Sequence, residues 1–126
     1  MPVAVVDASA VAAILFGEAS AEHIVKQLST HALAAPSLLP YELASVADGK
    51  VRRRELSPEA ATVALRAYSL LPIALHDPDL LEVFRIAVRA RLTACDAAYL
   101  WLARSLSTNL VTLDQKLAKA WAKLRS

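Results

Sequence analysis

Apolar and polar positions along this chain follow two rhythms. Short, largely apolar runs cover Val3 to Val6, Ala32 to Ala35, Ile73 to His76 and Asn109 to Leu113. Such runs suit strands of a sheet covered on both faces. Between them, apolar residues recur three and four positions apart, which predicts helices. Ala8 to Phe16 begins directly after Asp7 and stops near Gly17; Ala21 to Ser29 is amphipathic. A third helix starts at Ser37 and runs to about Arg53. Pro40 falls in its first turn, where no intrahelical N–H is required. "SPEAA" sets Ser57 at an N-cap and Pro58 at the first helical position. "DPDLL" repeats that start signal with Asp77 and Pro78. Leu81, Phe84 and Val88 then form a stripe, with Glu82, Arg85 and Arg89 on another face. Asp96 opens "DAAYLWLARSL", in which Leu100, Ala103 and Leu106 read as core, and Lys116 to Leu124 forms a final helix.

Strands alternating with helices predict an α/β domain with a mainly parallel sheet. At 126 residues the chain has the size of one domain, residues 1–126, and no repeat or Gly/Ser-rich linker divides it. In parallel sheets, ligands bind beyond the carboxyl ends of the strands. Two predicted strands deliver an aspartate there: "VAVVD" ends on Asp7, and "LVTLD" on Asp114.

Composition narrows the classes. Apolar residues make up 56%, which supplies a full core and excludes global disorder. The net charge of +2 permits nucleic-acid binding without arguing for it. A single cysteine, Cys95, excludes an internal disulfide and any cysteine-based zinc site, and fits a reducing compartment. "MPVAVVDASA" lacks the basic start of a signal peptide, and no run reaches the roughly 18 uncharged apolar residues of a membrane span. A cytoplasmic protein is expected.

Most of the twelve acids lie in polar surroundings. Asp7, Glu42, Asp96 and Asp114 do not: each sits in a locally apolar stretch without an adjacent base. A buried, unpaired carboxylate costs several kcal/mol, so it is protonated, paired or bound to a cation. Asp7, Asp96 and Asp114 each also read as helix N-caps, and a capping aspartate still has a second oxygen to offer. Glu42, inside a helix among Leu38, Leu39, Leu43 and Val46, has no such role. Several carboxylates gathered together would suit a hard cation such as Mg²⁺ or Mn²⁺. His23, His31 and His76 are scattered and show no metal-binding spacing.

Four stretches carry a resemblance that covers essentially the whole chain. They are "VVDASAVAAILFGE", "APSLLPYELASV", "LTACDAAYLWLA" and "LVTLDQKLAKA". In that order they resemble the acidic motifs of the PIN-domain ribonucleases, and most closely the VapC-type toxins of toxin–antitoxin pairs. The resemblance implies a PIN-like fold, a mainly parallel four- to five-stranded sheet flanked by helices. It implies an endoribonuclease dependent on Mg²⁺ or Mn²⁺, with Asp7, Glu42, Asp96 and Asp114 in catalytic and metal-binding roles. Asp7 and Asp96 would be the direct ligands. Glu42 and Asp114 would bind a second metal, hold waters or help deprotonate the attacking water. Ser9 and Thr112 match polar positions beside the family's site, and each also has a cap or strand reading. An RNA substrate, a VapB-like antitoxin and a homodimer follow from the same resemblance. Gln115 stands where some relatives carry a further acid or asparagine.

Arg52, Arg53 and Arg54 form the one dense basic run, and Arg85, Arg89 and Arg91 a second patch before Asp96. Contacts from Arg52, Arg53, Arg54 or Arg89 to RNA phosphates would make binding salt-dependent. A solvated helix face, or pairing with antitoxin acids, would explain the same residues. Trp101 and Trp121 read as core or interface, or as stacking platforms for bases. Apolar residues on more than one face of "VAAILF" and "SLLPYELASVA" suit a dimer seam or an antitoxin groove. Two rivals remain in view. A phosphorelay receiver has the right size, but it wants an acidic pair after its first strand and a lysine ending its last. A catalytically silent PIN-type module that binds RNA or protein is the other.

Overall fold

The predicted run Val3–Val6 forms strand β1, and its alternating side chains feed two separate cores. Ala4 and Val6 pack on one face, Val5 on the other. The computed structural model describes residues 1–126 and adds β2 (Ala32–Pro36), β3 (Ile73–His76) and β4 (Asn109–Val111). The four strands make one sheet in the order β3-β2-β1-β4, and every pair is parallel. Seven helices surround it: α1 (Ala8–Leu15), α2 (Ala21–Leu28), α3 (Leu39–Arg52), α4 (Pro58–Ala67), α5 (Leu80–Ala90), α6 (Ala94–Ser105) and α7 (Gln115–Arg125). A short 3₁₀ turn, Tyr68–Leu70, leads into β3.

Helices α1, α2 and α3 cover one face, meeting Ala4, Val6, Ala35 and Val111. Helices α5, α6 and α7 cover the other, meeting Val5 and Ala34. Helix α6 is the most deeply set: Ala97, Ala98, Tyr99, Leu100, Leu102 and Ala103 are all buried. Each fully buried Leu or Val contributes about 1.5–3 kcal/mol through water release.

The strand order positions the site. From β1 the chain builds outward through β2 to β3, then returns to place β4 on β1's other side. The carboxyl ends of β1 and β4 therefore meet at the point where the order reverses, where open α/β sheets leave a crevice. The order also excludes the receiver rival, whose five strands run 2-1-3-4-5; here β1 lies between β2 and β4.

Several boundaries differ from those read in the sequence, each for a local reason. Strand β4 stops at Val111 rather than Leu113, because Leu113 N–H donates to the Ser9 hydroxyl at 2.9 Å instead of joining the ladder. Helix α3 begins at Leu39, not Ser37; Ser37 N–H donates to His76 O and prolongs the β2–β3 pairing. Helix α5 is capped by Asp79, whose carboxylate accepts Glu82 N–H at 3.0 Å, rather than by Asp77. Helix α6 is capped by Thr93, which accepts Asp96 N–H at 3.1 Å, so Asp96 lies inside the first turn and is no cap.

Two apolar faces also differ. The Leu81, Phe84 and Val88 stripe of α5 points outward, each 62–63% exposed, while Val83 and Ile86 enter the core. Both stripes have helical spacing, and α6 packs against the second. Leu106 is likewise 36% exposed, lying just past the end of α6. Helix α1 offers little to a partner, since Ala10 to Ala13 are buried against the sheet and neighbouring helices. The exposed apolar side chains concentrate instead on α5, with Tyr41 of α3 also outward at 78%.

The register of α5 is testable by urea unfolding. Ile86→Ala is expected to cost about 2–4 kcal/mol by opening a core cavity. Phe84→Ser is expected to stay within about 0.5 kcal/mol in the isolated chain.

Candidate active site

Four carboxylates stand at the N-terminal ends of four helices. Asp7 follows β1 and caps α1. Glu42 lies in the first turn of α3, Asp96 in that of α6, and Asp114 caps α7. A helix N-terminus carries roughly half a positive charge, which favours an anion there.

Asp7 is the buried member, 5% exposed, and it accepts from three donors. Its Oδ1 accepts the Ser9 hydroxyl at 2.7 Å and Ala10 N–H at 3.0 Å. Its Oδ2 accepts the Thr112 hydroxyl at 2.5 Å. Thr112 in turn accepts Asp114 N–H at 3.0 Å, so one hydroxyl ties the β4–α7 turn to the end of β1. Ser9 and Thr112 thus serve the carboxylate; Ser9 lies within α1 and Thr112 just beyond β4. Despite three donors, the Asp7 carboxyl sits above its ordinary pKa. Burial outweighs the hydrogen bonds, and Asp114 adds repulsion.

Glu42 is half-buried and raised for the same leading reason, desolvation. The Tyr99 hydroxyl donates to its Oε1 at 2.5 Å and opposes that rise, while Asp96 and Asp7 reinforce it. The four acids therefore share one electrostatic neighbourhood. Asp114 spends one oxygen on Leu117 N–H at 3.1 Å. The Asp96 carboxylate accepts no hydrogen bond from the chain, leaving its oxygens open to a ligand. Cys95 stands at the rim, its thiol raised by burial and by Glu42 and Asp96.

Carboxylate oxygens are the donors that hard divalent cations take. No three acidic or histidine side chains stand close enough to form a ready three-ligand cage. Mg²⁺ does not require one, since it is commonly held by one or two carboxylates together with waters and substrate phosphates. Both raised carboxyls owe their shift first to burial and then to neighbouring acids, and a bound cation would favour their charged forms against both.

Residues 4–122 match the PIN domain family. The chain belongs to the PIN-domain family. It is 31% identical to Ribonuclease VapC3 of Pyrobaculum aerophilum, over 95% of each chain. It is 34% identical to Ribonuclease VapC1 of Mycobacterium tuberculosis, over 92% of this chain and 89% of that one. The crystal structure of PAE2754 from Pyrobaculum aerophilum superposes with a TM-score of 0.76 at 32% identity, covering 94% of this chain and 86% of that one.

In this PIN domain the residue that sequence reasoning passed over is Tyr99. It is 1% exposed, and its hydroxyl has Glu42 as partner. Burial and the Glu42 charge push its pKa upward, so it stays a protonated donor. A signal existed: Tyr99 follows Asp96 by one helical turn, in an apolar helix where a phenol needs a partner. The arginine run lies elsewhere, at the end of α3, with Arg52 on Asp48 at 3.0 Å and Arg53 on Glu55. Arg54 makes no ion pair and Arg89 none.

Tyr99→Phe is expected to destabilise the metal-free protein by about 1–3 kcal/mol at neutral pH, by stripping a part-buried carboxylate of its donor. Glu42→Gln should act in the opposite sense. Folded Glu42 holds its proton more tightly than the unfolded chain, so parent stability falls as pH rises from the ordinary glutamate value to the raised folded one. The Gln variant lacks that loss. Its advantage should grow across that interval, stay flat above it and vanish below, as read by urea unfolding over a pH series in EDTA.

Proposed function

We propose that this protein is an endoribonuclease that hydrolyses RNA phosphodiester bonds with the aid of Mg²⁺ or Mn²⁺, and that it is the toxin of a toxin–antitoxin pair. What supports this reading is that Asp7, Glu42, Asp96 and Asp114 stand at the N-terminal ends of four helices, with Asp114 acting on Asp7 and with Asp96 and Asp7 acting on Glu42. The curated relatives named Ribonuclease VapC, matched over nearly their full length, support it.

A bound dication would neutralise charge developing on the phosphodiester and acidify the attacking water. Asp7 and Asp96 would hold it directly. Ser9 and Thr112 fix the Asp7 carboxylate, so that its oxygens arrive already oriented. Glu42 and Asp114 would hold a second ion or take the proton of the attacking water. Tyr99 orients Glu42 and remains a donor throughout. The fold's exposed apolar face on α5 supports a protein partner, which in this reading is a VapB-like antitoxin or the second copy of a homodimer. No helix is long and apolar enough to cross a membrane.

Purified protein freed of any partner should cut RNA with Mg²⁺ or Mn²⁺ and stop on addition of EDTA. Asp7→Asn and Asp96→Asn should each lower turnover by about 10²–10⁴-fold while unfolding cooperatively. Cleavage by either variant at the parent's rate would remove the catalytic assignment.

A further inference from the structure

The chain carries 14 basic and 12 acidic residues, so its average charge is weak. Their distribution is not. Arg89, Arg91, Arg104, Lys116, Lys119 and Lys123 line one open groove of about 630 Å³, and no acidic side chain lines it. The cations come from the end of α5, the end of α6 and the exposed side of α7. Only Arg104 has an ion-pair partner, Glu82 at 3.6 Å. Ala90, Leu92, Ala120, Leu124 and Ser126 complete the groove's lining. Five cations that make no ion pair crowd one concavity and repel one another, which a bound polyanion would reverse.

Chain connectivity sets one end of this groove beside the acids. Lys116 follows Asp114 by two residues in the first turn of α7. Arg91 and Leu92 lead directly to Thr93, the cap of the helix that carries Asp96. From Lys116 to Lys123 the helix rises about 10 Å, room for more than one phosphate.

We infer that this groove is the track for the RNA backbone, gripping phosphates on one side of the scissile bond. The inference rests on the ribonuclease reading and adds where the substrate lies. RNA is favoured over an acidic protein segment for two reasons. Lys116 and Arg91 lie within a few residues of Asp114 and Asp96, so an RNA whose scissile phosphate sits at those acids has groove cations next to it. The large apolar side chains that a protein partner would cover, Leu81, Phe84 and Val88, do not line the groove.

The test titrates a labelled single-stranded RNA of mixed sequence into the full chain in EDTA, where cleavage is stopped. The triple variant Arg89→Ala/Lys119→Ala/Lys123→Ala should bind about tenfold more weakly, and its salt slope should fall by about 2, at roughly 0.7 for each phosphate no longer gripped. With Mg²⁺ restored, its KM should rise and its kcat should stay. Arg66→Ala, an exposed cation on α4 outside the groove, should match the parent. A triple variant with parental affinity and salt slope, beside a parent that cuts RNA, overturns the groove alone. A parent that binds RNA through these residues and never cuts it overturns the ribonuclease reading and leaves the groove standing. If the triple variant keeps RNA but loses a polyglutamate peptide, the groove serves an acidic protein segment and the inference fails.

Discussion

Everything at the crevice depends on keeping the Asp7 carboxylate inside the protein. Its donors come from two distant stretches, Ser9 and Ala10 at the start of α1 and Thr112 just past β4. Neither stretch can shift without stranding an anion out of water, a cost of several kcal/mol. The same hydroxyls organise the backbone. Ser9 takes the N–H of Leu113, and Thr112 takes that of Asp114. The strand end, the helix start and the site are thus one hydrogen-bonded object. Three donors still leave Asp7 reluctant to ionise, so the arrangement holds an oxygen ligand in place and does not satisfy its charge.

The fold supplies acids through a repeated device. Parallel strands end on one edge, and the helices α1, α3, α6 and α7 begin there. Each brings one carboxylate at its N-cap or in its first turn, where the helix dipole partly offsets the repulsion. Cations are arranged oppositely. Arg89 and Arg104 sit at or near helix C-termini, where positive charge is favoured, and α7 adds its lysines along one side. The molecule therefore separates its charges into an acidic crevice and a basic groove, although its total is close to neutral.

The sequence revealed those parts of the fold whose signals are local. Strands β1 and β3 have the bounds that their apolar runs predict, and the Ser57–Pro58 start of α4 is as read. Four acids in apolar settings were visible because a carboxylate among Leu, Val and Ala is unusual. What escaped depends on distant partners. Asp96 resembled a cap until Thr93 took that role. Helix α5 has two stripes of helical spacing, and only the position of α6 decides which one is buried. Tyr99 had no stated function because its partner lies 57 residues away. Lys116, Lys119 and Lys123 carry no local signal of a groove, since folding is what brings Arg89 and Arg91 into the same concavity.

The return of β4 to the flank of β1 has a temporal side. A growing chain that has reached only α6 already contains Asp7, Glu42 and Asp96. It still lacks Thr112 to hold the first of them and the strand that walls the crevice. Ser9 and Ala10 alone would hold Asp7 at that stage. The last strand and helix to be made are thus the ones that complete the hold on the first carboxylate.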